Sequence, residues 1–321
     1  MFRVNRRFHA AVFFLLIAIL AVLGCHRRPS EEDINLLMDK AEEERAAGKY
    51  TEAEAKYFYI AKNTREVMGP TSKAYAQTLD MLALCWSSMG RYGGADSAYK
   101  TAEAIFKRYP EMDSVRAASL FGHASNKLGQ DKDSEAVQLF TEGLQISEKL
   151  WGPTDPHADK FLEALDVCYT NQRDFIQVLP ILERRLSVNL MNPNFRPVVL
   201  ADIIIYLGKL YFNVPQVVER GDRFFRRAIA AVDSGMAHDR RPLPYLQIGL
   251  MGFLASEDKR DECAAMLKTS DSSAREIFGR DTPEFAEYVR FRIRMFRVLG
   301  WNEQADVGEK MADSLKKANT K

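Results

Sequence analysis

Small and bulky apolar positions follow one another along this chain in a pattern that returns about every 42 residues. Set in register on a small residue, seven segments fall at Ala53, Ala95, Ala136, Val178, Gly221, Cys263 and Ala305, with steps of 42, 41, 42, 43, 42 and 42. Four residues after the register position stand Tyr57, Tyr99, Phe140, Leu182, Phe225 and Leu267; Glu309 breaks the set. Nine residues before it lie Trp86, Tyr169, Phe212, Leu254 and Phe296. Inside the second segment, Tyr75, Leu79, Leu82 and Trp86 recur at i, i+4, i+7 and i+11, one apolar stripe at helical period. Gly90 ends that stripe, and Ala95, Tyr99, Ala102 and Phe106 make the next. Each segment is thus predicted to be two amphipathic helices joined by a tight turn. The small register residue lets the two helices approach, and the bulky ones fill the groove to the next hairpin. No hairpin can bury its apolar face alone, so the pattern predicts a stacked array, better suited to holding a partner than to catalysis.

Breakers mark the hairpin junctions. They are Met68-Gly69-Pro70, Tyr109-Pro110, Trp151-Gly152-Pro153 and Phe278-Gly279. Arg173 replaces the turn glycine in the fourth segment, the fifth has Asn213-Val214-Pro215, and its exit from Gly235 to Pro244 is long. The repeat is weakest there, so a change of curvature or a joint is expected between Arg173 and Pro244. The third segment carries a turn that reads as longer, Gly129 to Ala136.

The first residues depart from this pattern. Arg3, Arg6 and Arg7 precede an uncharged apolar run from Ala10 to Leu23, the layout of a secretory signal. At 14 residues the run is short for a spanning helix, which needs about 20. Val22-Leu23-Gly24-Cys25 resembles the lipobox of bacterial lipoproteins. The resemblance implies cleavage before Cys25 and acylation of Cys25, with enough acyl chains for stable anchoring. His at position 26, where an Asp would imply inner-membrane retention, points to the outer membrane, periplasmic face. The expected organisation is a signal peptide over 1–24, a short lipidated linker over 25–32, the array over 33–316 and a disordered tail over 317–321. Loss of Arg3, Arg6 and Arg7 with the leader takes the 45 Lys and Arg to 42, against 44 Asp and Glu. A near-neutral chain argues against nucleic acid as a partner.

Three further cysteines remain, Cys85, Cys168 and Cys263. Cys85 and Cys168 occupy equivalent positions two repeats apart. Hairpins stacked about 10 Å apart hold them about 20 Å apart, beyond the roughly 4.4–6.8 Å Cα span of a disulfide. No internal disulfide is predicted, and all three are expected in the core.

The turn and second-helix segment Tyr92-Gly93-Gly94-Ala95-Asp96-Ser97-Ala98-Tyr99 and the junctions Trp151-Gly152-Pro153-Thr154-Asp155-Pro156-His157-Ala158 and Phe278-Gly279-Arg280-Asp281-Thr282-Pro283 resemble tetratricopeptide (TPR) repeats of the 42-residue, kinesin-light-chain type. Gly48-Lys49-Tyr50-Thr51-Glu52-Ala53 repeats the turn. The resemblance implies an all-α, right-handed superhelical solenoid of about seven TPR-like hairpins. A different α-solenoid with hairpins of similar length is the alternative.

Candidate chemistry is sparse. The histidines after the leader, His26, His123, His157 and His238, form no i, i+4 pair or zinc motif, no serine sits in a G-x-S-x-G elbow, and no glycine-rich phosphate loop precedes a helix. No enzyme, metal or cofactor is expected. In TPR arrays the first helix of each hairpin lines the concave groove, at sites 15, 11 and 8 residues before the register position. In the last hairpin these are Arg290, Arg294 and Arg297, three guanidiniums on one helix face that suit carboxylates or phosphates. The opposing reading is a solvated basic face paired with Glu284, Glu287, Asp306 and Glu309. In the third hairpin the longer turn shifts the sites by two, to His123, Asn126 and Lys127, loosely similar to a carboxylate clamp. Elsewhere the groove reads as mixed: Leu84, Ser87 and Ser88; Glu163, Val167 and Thr170; Tyr206, Leu210 and Asn213. The expected role is a lipid-anchored, non-catalytic scaffold of the bacterial envelope that binds a protein or peptide in its groove, in envelope assembly or secretion. The alternative is a small-ligand or glycan-binding envelope lipoprotein. Oligomeric state is open.

Overall fold

A computed structural model describes residues 30–192, 196–213, 218–235, 239–256 and 259–318. The expected signal peptide over 1–24 and Cys25 lie outside the described residues, as do 319–321. Among the described residues there are fourteen α-helices and no strand, arranged as successive helical hairpins. They form two compact units, meeting at Met112 and Asp113 in the chain.

The first unit holds α1 (Glu31–Ala46), α2 (Tyr50–Met68), α3 (Lys73–Ser88) and α4 (Tyr92–Phe106). Helix α1 starts inside the expected linker because Ser30 and Asp33 form a capping box. The Ser30 Oγ accepts from the Asp33 N–H at 3.2 Å, and an Asp33 carboxylate oxygen accepts from the Ser30 N–H at 3.0 Å. The register residues Ala53 and Ala95 are fully buried, and Tyr57 and Tyr99 fill the spaces beside them. Burying each such large side chain contributes about 1.5–3 kcal/mol. The Tyr57 hydroxyl donates to Glu42 at 3.0 Å, which ties the second helix to the first.

The second unit holds α5 (Asp113–Leu128), α6 (Asp133–Trp151), α7 (Pro156–Asn171), α8 (Phe175–Met191), α9 (Pro197–Asn213), α10 (Val218–Asp233), α11 (Leu243–Ser256), α12 (Arg260–Phe278), α13 (Pro283–Val298) and α14 (Asn302–Ala318). Helix α14 continues through Lys317 and Ala318, past the expected start of the tail. Ala136, Val178, Cys263 and Ala305 are buried at their register positions.

The turn inside five of the hairpins is one repeated device. Five residues before the register position, the backbone takes a positive φ at Gly48 (76°), Gly90 (74°), Asp131 (57°), Arg173 (57°) and Gly300 (75°). The N–H of the next residue then donates back five residues: Lys49 to Glu44, Arg91 to Trp86, Lys132 to Lys127, Asp174 to Tyr169 and Trp301 to Phe296, all between 2.8 and 3.0 Å. The turn of the third hairpin is therefore not longer than the others. Asp131 takes the left-handed place that glycine takes elsewhere, and no shift of two residues follows.

The array loses its regularity at the fifth hairpin. Helix α9 barely touches α10 and packs instead on α8, α11 and α13. Helix α11 lies among α9, α10, α12 and α13, and every residue from Leu243 to Leu254 is buried. Its sequence is apolar on every face apart from the buried Gln247 and the terminal Ser256, as suits an enclosed helix. Met295 of α13 reaches toward Gly208 of α9 and Gly252 of α11. A Cβ at Gly252 would meet the Met295 Sδ at 3.2 Å, and one at Gly208 would meet its Cε at 3.7 Å. The first helices of the fifth, sixth and seventh hairpins thus pack on one another, where an open first-helix groove was expected.

Candidate functional site

Helix α13 begins at a Thr282 cap, whose hydroxyl accepts from the Phe285 N–H at 3.1 Å, with Pro283 in the first turn. Phe285, Tyr288, Val289, Arg292, Met295 and Phe296 turn into the protein. That leaves Arg290, Arg294 and Arg297 exposed along a single strip, as their i, i+4, i+7 spacing predicts. Their surroundings differ. Arg297 donates to Asn302 at 3.1 Å, Asp306 at 2.6 Å and Glu309 at 2.9 Å, all on α14. It caps its own hairpin, in line with the solvated-face reading. Arg294 pairs with Asp202 of α9. Arg290 has no carboxylate at ion-pair distance among the described residues.

Arg290 and Arg294 stand at a pocket of about 180 Å³ between α9, α11 and α13, lined also by Pro197, Val198, Ala201, Tyr245, Glu287 and Phe291. Tyr245 is buried, and that burial pushes its phenol well above the usual range, keeping it neutral. The pocket combines apolar walls with two guanidiniums and one carboxylate. It can take an apolar group that carries a negative charge.

The second predicted cluster is not a site. His123, Asn126 and Lys127 are only 5%, 0% and 3% exposed. The Lys127 Nζ pairs with Glu135 across the turn at 2.8 Å. These side chains brace the third hairpin, because the register there is unshifted. The unshifted positions are Phe121, Ser125 and Leu128, of which Ser125 is exposed and the other two half-buried. Phe121 contributes to a pocket of about 270 Å³ between α5 and α7, with Ala118, Trp151, His157, Lys160 and Phe161. There Trp151, 41% exposed, stacks on His157 at 4.3 Å. His157 is held by Asp155, which accepts from its backbone N–H at 2.9 Å and lies 2.6 Å from its Nδ1. The backbone hydrogen bond from His157 holds the Asp155 carboxyl below its ordinary range.

The remaining groove positions are largely spoken for by the chain itself. Glu163 lies 3.5 Å from Arg185, which also meets Asp159 at 3.2 Å and Asp166 at 3.5 Å. Burial pushes the Asp166 carboxyl up, against the pull of Arg185. The hydroxyls of Thr170 and Tyr206 are 2.7 Å apart, and Leu210 is buried. The side chain of Asn213 lies outside the described residues. Val167 and Ser88 are exposed, while Leu84 and Ser87 are half-buried. Cys85, Cys168 and Cys263 are free and buried, where core positions were expected.

The sequence reading missed Pro197, Val198, Asp202 and Tyr245. The register relates a helix to its neighbours in the stack, whereas Asp202 reaches Arg294 across 92 residues. The available signal was glycine at 208 and 252 within apolar helices, which admits close packing.

No protein-family model matches this sequence, and no curated protein does. Among solved structures, the chain is similar to BtubC (BKLC) from P. vanneervenii, at 18% identity over 74% of this chain and 80% of that one, with a TM-score of 0.49. It is similar to the apo form of RapI, at 15% identity over 89% and 98%, TM-score 0.49. It is also similar to PilF of Pseudomonas aeruginosa, at 16% identity over 80% and 97%, TM-score 0.44.

Proposed function

We propose that this chain is a non-catalytic interaction scaffold that holds a polypeptide, tethered to the bacterial envelope through acylated Cys25. The outer membrane, facing the periplasm, is its proposed location, and envelope assembly or secretion its proposed setting. The observation that carries the binding reading is the pocket at Arg290, where a guanidinium without a carboxylate partner stands beside apolar walls. A peptide carboxylate on an apolar residue matches that combination: the acid takes the charge-assisted hydrogen bonds and the side chain displaces water from Val198 and Phe291. Arg297, already saturated by α14, takes no part.

The test is capture of the partner from native envelopes. Arg290→Ser is expected to lower capture about tenfold, the loss of one charge-assisted contact, and Arg297→Ser to leave it unchanged. Undiminished capture by Arg290→Ser rejects the site. Cys25→Ser is expected to release the protein from membranes, and continued sedimentation with them rejects the lipid anchor. The second reading, a small solute or glycan, is favoured by one observation: the exposed Trp151 indole stacked over His157 beside the 270 Å³ pocket. Saccharide-dependent quenching that Trp151→Leu abolishes is the result that would establish it.

A further inference from the structure

A broad groove opens on the first unit. It has a volume of about 730 Å³ and runs between the second helices α2 and α4 over a floor supplied by α3. Along α2 it extends from Phe58 to Glu66, a rise of about 12 Å, or two helical turns. Tyr75 and Trp86 are part of the floor, and Phe58, 50% exposed, meets Trp86 edge-on at 5.5 Å. The floor is fixed in advance. The Trp86 Nε1–H donates to Glu54 at 2.7 Å, and Glu54 is in turn paired with Arg91. Gly94 lets α4 come close, since a Cβ there would sit 3.3 Å from the indole.

The rim is charged unevenly. Lys62 and Arg65 stand exposed on the α2 wall with no ion-pair partner among the described residues, while Glu66 is the single acid beside them. The α4 wall offers no charge, only Ser97 and Thr101. Both hydroxyls donate to backbone carbonyls of their own helix, Ser97 to Gly93 at 3.2 Å and Thr101 to Ser97 at 2.9 Å.

We propose that this groove binds an amphipathic helix of a partner protein, with an apolar stripe two turns long flanked by acidic residues. The walls are helices whose backbone groups are already paired, so an extended strand gains no main-chain bonds there, whereas a helix brings its own bonds satisfied. Apolar side chains at i, i+3, i+4 and i+7 cover Phe58 and Trp86, and flanking carboxylates meet Lys62 and Arg65. The proposal adds a second site to the scaffold reading and uses no residue of α13, so its failure leaves the Arg290 pocket untouched, and the reverse.

The test titrates the full-length chain, in mild detergent, with a stapled peptide of about 14 residues, near the length at which helices become stable. It carries Leu at the four stripe positions and Glu on both flanks; a twin carries Lys for every Glu. The acidic peptide is expected to bind about tenfold more tightly than its twin at low salt. Lys62→Glu with Arg65→Glu is expected to reverse that order, and Ser97→Trp, at an exposed groove position, to weaken the acidic peptide about tenfold with unchanged circular dichroism. Equal affinity of the twins, or full binding by Ser97→Trp, overturns the proposal. So does a wild-type dimer in sedimentation velocity that Ser97→Trp converts to monomer, which would assign the groove to a second copy.

Discussion

Arg173→Gly is expected to stabilise the protein, although it deletes a charged side chain and adds no contact. Arg173 sits at φ 57° in the turn between α7 and α8, where Gly48, Gly90 and Gly300 serve the equivalent turns at 76°, 74° and 75°. A residue with a Cβ pays about 1–2 kcal/mol to hold that conformation. Glycine removes the strain but restores freedom to the unfolded chain, at a cost of about 0.5–1 kcal/mol. The side chain is exposed and makes no ion pair among the described residues, so nothing else is lost. The net expectation is a gain of about 0.5–1 kcal/mol, or roughly 2 °C in Tm for a unit of this size. Asp131→Gly, at φ 57°, is expected to gain less, because Asp tolerates the left-handed region better than Arg. Gly90→Arg should lose about 1 kcal/mol by the same reasoning. The assay is urea unfolding followed by far-UV circular dichroism, with the midpoint shifting at constant slope. A destabilised Arg173→Gly, or a neutral Gly90→Arg, refutes the argument that one strained turn position is shared by the hairpins.

Other expectations concern packing, charge and the thiols. Gly249→Ala is expected to cost about 2 kcal/mol in thermal or urea unfolding, because its Cβ would lie 2.5 Å from Phe225 and 2.8 Å from Ile204, whereas Gly93→Ala, facing open space within a helix, should gain about 0.5–1 kcal/mol. Arg185→Met is expected to destabilise by about 3 kcal/mol at pH 8, because Asp166 is left buried without its cation. Burial already raises the Asp166 carboxyl above its ordinary 3.8, and losing Arg185 raises it further. A carboxyl raised on folding takes up a proton, so the penalty is full above the folded pKa and fades as pH falls toward the unfolded value; unfolding at pH 8 and pH 5 should show the variant recovering in acid. Burial lifts the thiols of Cys168 and Cys263 to about 11 and that of Cys85 upward, so thiol reagents at pH 8 should label all three only on unfolding; rapid labelling of the native chain contradicts their placement.

Much of the fold was legible because the repeat is enforced by packing. Ala53, Ala95, Ala136 and Ala305 are small since two helices cross there, and Tyr57, Tyr99 and Phe140 are large since the next space must be filled. The misplacement of the groove sites to His123, Asn126 and Lys127 has a local cause. Glycine was read as the marker of the turn, and Asp131 assumes the same backbone without it. The pocket at Arg290 was half legible. Helical spacing placed the arginines on one strip, but their roles depend on α9 leaving α10 and packing on α13, a long-range choice set by the fit of Gly208 and Gly252 around Met295. The acids that saturate Arg297 were readable nearby in sequence, and Asp202 was not.

The central claim is that the Arg290 pocket receives a polypeptide. A photocrosslinking amino acid at Val198, 51% exposed on the pocket wall, tests it most directly in the native host. The account predicts a discrete protein adduct that Arg290→Ser removes and Arg297→Ser retains. Adducts confined to lipid or small solutes, or a protein adduct indifferent to Arg290, would contradict it.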